Sequence, residues 1–223
     1  MLREIAENIW VTEAPHQWLA FHVGTRMTVV KLATEALVLH SPVPMPGDLR
    51  SEIDSLGTVR HIVCSNFYHH VYAADAVKAY PRALLYGPAE LRLKRKDLHF
   101  DMVLSETTPK DWNDELLPLT IKGCLLRETV FFHPATKTLI SSDLVENFES
   151  SPYLLTRLYL RASGVYGRLG WSRFLRLLYR DRRAARESID RLLEWPIERA
   201  VIAHGNLILH DARAAIAEAF QWL

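Results

Sequence analysis

SNFYHHVYAA (Ser65–Ala74) is the stretch on which the reading of the fold turns. It follows TVRHIVC (Thr58–Cys64), a β-branched run of strand type. It leads into Val71–Tyr80, where Val71, Ala74 and Val77 share one face of a short helix. His69 and His70 therefore stand on a strand-to-helix turn. In an open α/β layer such turns line the crevice beyond the carboxyl ends of the strands, where ligands are held. Adjacent imidazoles within a strand would point to opposite faces, whereas at a turn both can aim at one point. A histidine pair in a loop is more often surface decoration than a ligand pair. The ends of the other strands therefore decide its meaning.

Upstream of this turn, NIWVTE, QWLAFHV, MTVVKL and ALVL are broken by Pro15, Gly24-Thr25 and Thr34-Glu35 and predict an antiparallel meander over residues 8–39. Leu49, Ile53 and Leu56 recur at helical spacing, with Gly57 as the stop, so strand, helix and TVRHIVC make one β-α-β step. Downstream, ALLYG (83–87) predicts a strand and Pro88 the start of a helix toward Lys94. LLPLTIKG, LRETVFF and TKTLISSD restore the strand pattern, with His133–Thr136 as a hairpin turn. A helix over Ala184–Trp195, a short strand in ERAVIAH and a terminal helix with Ala212, Ile216 and Phe220 on one face close the chain. Strands, a β-α-β step, more strands, helices, then a last strand and helix predict an α/β protein in which layers stack as a four-layer αββα sandwich. One domain over 1–223 is expected, with an Arg-rich helical insertion at 151–195.

Composition excludes several classes. Hydrophobic residues make up 49 % of the 223, ordinary for a chain with a sizeable core, and the net charge of +1 gives no global pull toward nucleic acid. The N-terminus has early charges and no apolar h-region, and no apolar run approaches the length of a transmembrane helix, so a cytoplasmic protein is expected. Cys64 and Cys124 are far apart and belong to no C-x-x-C motif, which argues against a disulfide framework.

Four positions fall where a strand runs out: His40, the pair His69-His70, Asp143 in TLISSD, and His204 in AVIAHG. Imidazole and carboxylate are the side chains that a borderline divalent cation accepts, and strand ends from separate elements converge at one edge of a sheet. On these residues the chain resembles the metallo-β-lactamase superfamily, in one of its branches of unknown function. That superfamily carries an Asp after an early strand, an H-x-H-x-D-H turn, a His before a hairpin, an Asp at a strand ending and a final His in a GH context. The resemblance places His40 at the early Asp position and Asn66 and Tyr68 at the first two turn histidines. His69 and His70 stand for the Asp-His pair, Cys124 falls near the third histidine, Asp143 matches the bridging Asp and His204 the last histidine. It implies that one metal position is lost and the other kept, with His69, His70, Asp143 and His204 as ligands of a single divalent cation, zinc first and iron or manganese as alternatives.

Such a site can support hydrolysis of an ester, amide or phosphodiester, with a small-molecule or anionic substrate. Asp143, Tyr68 and His40 are the candidate catalytic groups: Tyr68 to hydrogen-bond a group at the cation, or to pack as an aromatic, and His40 to act in acid-base chemistry or to pack behind the ligands. Glu128 is read either as orienting a ligand imidazole or as a solvated strand charge, and Cys124 either as a soft zinc ligand in place of imidazole or as an inert buried thiol. Tyr153–Arg186 carries nine arginines against one acid, Asp181. With its leucines this segment is read as a basic, apolar-striped pair of helices: packing on the sandwich, overhanging the site, forming a homodimer contact, or meeting an anionic ligand or membrane surface, with no specific nucleic-acid signal. A non-catalytic binding protein and an iron-dependent oxidoreductase are the competing functions.

Overall fold

Alternation along the strands sorts the core into separate layers. The computed structural model describes residues 1–223 and opens with β1 (Arg3–Ala6) and β2 (Ile9–Ala14), then a small ribbon of β3 (Gln17–Trp18) and β4 (Phe21–His22). There follow β5 (Thr25–Lys31), β6 (Ala36–His40), α1 (Gly47–Leu56), β7 (Thr58–Val63), α2 (Ala73–Ala79), β8 (Leu84–Gly87), α3 (Leu91–Lys94) and β9 (Met102–Val103). The second half runs β10 (Leu117–Thr120), β11 (Thr129–His133), β12 (Thr138–Ile140), β13 (Glu146–Asn147), α4 (Leu154–Ser163) and β14 (Leu169–Gly170). It closes with α5 (Arg182–Leu192), β15 (Arg199–Val201) and α6 (Ala212–Ala219).

One sheet has the order β1-β2-β5-β6-β7-β8-β9 and the other β10-β11-β12-β15. In β6, Leu37 and Leu39 point outward to meet Leu49 and Ile53 of α1, while Val38 points inward; in β11, Val130 and Phe132 face α5 and α6 while Phe131 points inward. The inward residues of both sheets, among them Val30, Val38, Val63, Phe131 and Ile140, form one shared core. Helices therefore cover the outer face of each sheet, and the αββα sandwich follows from period-2 alternation on both sides. Strands β6, β7 and β8 are parallel, as are β12 and β15. The loops after β7, β12 and β15 consequently gather at one edge of the sandwich.

Two expected elements take another form. QWLAFHV is not a sheet strand: Leu19 adopts a left-handed turn (φ 54°), and the resulting β3–β4 ribbon packs on α4, with the His22 amide donating to Thr156 Oγ1 at 3.0 Å. The pair of basic helices is one helix, α4, followed by a short strand and a 3-10 turn over Leu175–Leu178. Gly164 ends α4 at φ 80°, and β14 then pairs with β13. α5 begins at Arg182, ahead of the expected Ala184, because the Asp181 carboxylate caps it by accepting from the Ala184 amide at 3.0 Å.

Candidate metal centre

Three side chains from three loops meet at that edge. His69 Nε2 stands 3.4 Å and His204 Nε2 3.1 Å from the same atom, Asp143 Oδ1, and the imidazole centroids are 5.3 Å apart. The three donor atoms lie within 4.8 Å of one another. Each residue follows a strand by a short step: His69 comes after β7, Asp143 after β12 and His204 after β15.

Local chemistry holds each of them in place. The buried Asn66 side chain accepts from the amides of Tyr68 (2.8 Å) and His69 (2.9 Å), and donates through Nδ2 to Asp143 Oδ2 at 2.8 Å. One side chain thus shapes the turn that presents His69 and also orients the carboxylate opposite it. The Glu128 carboxylate accepts from the amides of Ser142 (2.6 Å) and Asp143 (3.0 and 3.1 Å), so it fixes the backbone of the aspartate rather than an imidazole. His204 Nδ1 donates to the Gly24 carbonyl at 2.8 Å, because a carbonyl can only accept. The Arg26 guanidinium, itself buried, donates to the carbonyls of Ile202 and Gly205 and clamps the same loop to β5. Beneath the centre, the hydroxyls of Ser41, Ser65 and Ser142 bond to one another.

The His204 tautomer decides the electrostatics. With the Nδ1 proton on Gly24, a neutral ring turns the Nε2 lone pair on a carboxylate oxygen 3.1 Å away. That contact is favourable only if a proton or another cation lies between the two atoms. Without a cation the proton is kept: burial alone would lower His204, yet the hydrogen bond and charge of Asp143 raise it above its ordinary value. Burial pushes Asp143 upward, but His69 and His204 outweigh it and hold the carboxyl well below the usual carboxylate range. Donor atoms bound at ~2.0–2.1 Å along octahedral or tetrahedral directions stand about 2.9–3.4 Å apart. The separations of 3.1 and 3.4 Å meet that requirement, and the two-imidazole, one-carboxylate set suits a divalent cation.

The other expected site residues lie outside this group. His70 is turned away from it: Arg95 Nη1 donates to His70 Nδ1 at 2.9 Å and to its carbonyl at 2.7 Å. Because a guanidinium only donates, the ring's lone pair is already taken. Burial, with Lys94 and Arg95 nearby, depresses His70 to about 4, so the ring is neutral. Of the four expected ligands, His69, Asp143 and His204 come together and His70 does not. His40 is also displaced: strand alternation turns it into the core between the sheets, edge-on to Phe131 at 5.6 Å with Nε2 unpartnered. Burial, then His69, drives it down to about 3. A ring closed off in this way packs and does not reach a substrate. Tyr68 is half-exposed on the rim beside Lys94, and Cys124 is a buried thiol raised by burial to about 11.

Two residues that sequence reasoning passed over belong here. His69, Asp143 and His204 face a cavity of about 230 Å³, and His16 and Glu146 line it as well. His16 reaches it from the loop after β2, with Nδ1 3.3 Å from the Tyr72 hydroxyl. Glu146 is buried, one carboxylate oxygen has no partner, and burial raises it to about 7. Glu146 begins the strand just past Asp143, which is a local signal; His16 carries none in sequence.

No curated protein sequence matches the chain. Among solved structures, a metallo-β-lactamase from Pontibacter korlensis superposes with a TM-score of 0.68 at 15 % identity, over 97 % of this chain and 95 % of that one. The DIM-1 metallo-β-lactamase gives 0.65 at 15 % identity, over 98 % and 97 %. The Flv1 flavodiiron core from Synechocystis sp. PCC6803 gives 0.62 at 11 % identity, over all of this chain and 60 % of that one. These likenesses show the metallo-β-lactamase fold. The family profile described as "Domain of unknown function (DUF4336)" matches residues 6–165, well over half of the sequence, and the chain belongs to that family.

Proposed function

We propose that the protein is a metal-dependent hydrolase with a single-cation site formed by His69, Asp143 and His204. The observation that carries this reading is the convergence of two imidazole nitrogens on one carboxylate oxygen at 3.4 and 3.1 Å, in the lining of a cavity. His69, Asp143 and His204 would hold a divalent cation, which would supply Lewis acidity and a nucleophilic water near neutral pH. The residues of the chain do the rest. Asn66 keeps Asp143 aimed at the imidazoles, and the Gly24 carbonyl keeps His204 in the tautomer whose Nε2 can ligate. His16 stands on the cavity wall with its charge suppressed by burial and by His204 and His69, so it is a neutral base within the site. Trp18, Val23, Tyr72 and Trp171 make the remaining wall largely apolar, which favours a substrate with an apolar body.

Asn66 and Tyr68 stand where the resemblance expects two further histidines, which supports one cation rather than two. The test is turnover of chromogenic ester and phosphodiester substrates. Activity should vanish with a chelator, return with zinc, fall at least about 10²-fold in Asp143→Asn, and persist in His70→Ala. Turnover that survives chelation or Asp143→Asn would refute the proposal. A second reading, iron redox chemistry, is favoured by the donor set alone, since two histidines and one carboxylate also serve non-haem iron. Iron retained in preference to zinc, with no hydrolysis, would select it.

A further inference from the structure

We infer that the arginine-bearing face formed by the β3–β4 ribbon, α4 and the 174–178 turn docks on an anionic lipid bilayer. Tyr159 of α4 joins the three pieces: it stacks on Phe21 (4.4 Å), lies 5.9 Å from Trp18 and 6.2 Å from Phe174. Around this junction Leu19, Leu154, Leu155, Leu158, Phe174 and Leu177 are 53–77 % exposed. A monomer gains nothing by holding six large apolar side chains in water on adjoining elements; such a patch marks a surface that something apolar covers.

The charges say what covers it. Tyr153–Arg186 has nine arginines, no lysine and one acid. Arg183 and Arg186 are neutralised by Glu187 and Asp190 on α5. Arg157, Arg161, Arg168, Arg173, Arg176 and Arg180 have no carboxylate in ion-pair reach. On α4 the buried side is Thr156, Leu160 and Ser163, leaving Leu154, Arg157, Leu158 and Arg161 along one outward stripe at i, i+3, i+4 and i+7. Leucines alternating with guanidinium groups match an interface in which acyl chains lie beneath a layer of phosphate and carboxylate. Guanidinium binds such groups bidentately. Nucleic acid would satisfy the arginines but leave the aliphatic leucines in water. A second copy paired face to face would bring one uncompensated arginine cluster against another.

The same elements border the cavity, since Trp18, Tyr159, Leu175 and Leu178 line it, so docking would set its mouth at the lipid surface. The surface stands on residues other than the proposed ligands, and its test is separable from the metal reading. Full-length protein is floated with vesicles of phosphatidylcholine alone and of phosphatidylcholine with phosphatidylserine. Binding is expected only to the anionic vesicles, to weaken as salt rises, and to fall about fivefold for each arginine removed in Arg157→Gln and Arg161→Gln. Leu154→Ser with Leu158→Ser should lower it at least about tenfold without changing the thermal melt. No flotation at low salt, binding indifferent to lipid charge, or binding unchanged in either variant pair would overturn the inference. So would duplex DNA binding that outcompetes vesicles and ignores the leucine pair, or a dimer in which Leu154 and Leu158 are protected.

Discussion

Asn66 shows how a residue that is a poor ligand for a divalent cation can still shape the proposed metal site. Its amide accepts from two turn amides and donates to Asp143 Oδ2, so the direction of His69 and the orientation of the carboxylate depend on one buried side chain. Asn66→Ala should weaken zinc binding about 10–100-fold in competition with a chromophoric chelator. Asn66→Asp keeps both backbone bonds yet sets a second carboxylate against Asp143, so it separates shaping of the turn from orientation of the aspartate. An unchanged affinity in both variants would show that Asn66 has no part in the site. The neighbouring pair, His69 and His70, marks the limit of reading at this scale. Their position on a strand-to-helix turn was legible from the β-branched run before them. Which ring faces the centre was not, because that is settled by Arg95, 25 residues away, occupying the lone pair of His70.

At the scale of elements, the strands and their carboxyl ends were the legible part. Leu37, Val38 and Leu39 alternate as a buried strand must, and the runs ending near His40, Cys64, Asp143 and His204 lie in strands that end at one edge of the sandwich. Elements whose form is set by partners distant in sequence were misread. Trp18 and Phe21 carry the aromatic content of a strand, but their partners are on α4, so QWLAFHV left the sheet. The segment after Gly164 has leucines at helical spacing, yet only Leu175–Leu178 turns, and β14 is captured by β13 instead. His16 entered the site for the same reason: its loop is placed by packing against Tyr72, a contact 56 residues distant in sequence. Gly205 shows how tightly the last loop is drawn in. It sits at φ 82°, and a Cβ there would collide with the carbonyl of Asn147.

For the whole molecule, two helix-covered sheets pack around a shared inner core, and charge is buried at the one edge where their loops converge. Glu146 carries a measurable part of that cost. Its ordinary value is 4.5, and burial raises it to about 7 in the folded chain. A raised acid favours the folded state while protonated, so its stabilising effect is whole below 4.5 and is lost as pH climbs through 7. Urea unfolding of chelated Glu146→Gln should match the parent at acid pH and exceed its stability by about 2–3 kcal/mol at pH 8. A difference that does not grow with pH would mean that the carboxyl is not held protonated.

One cation held between His69, Asp143 and His204 is the centre of the proposed function. Anomalous diffraction from crystals grown with zinc or iron, collected on both sides of each absorption edge, identifies the element and its position together. One peak per chain is expected, about 2.0–2.2 Å from the Nε2 atoms of His69 and His204 and an oxygen of Asp143, with His70 still on Arg95. A chain that takes up no metal, a second peak beside Asn66 and Tyr68, or a peak bound through His70 would contradict it.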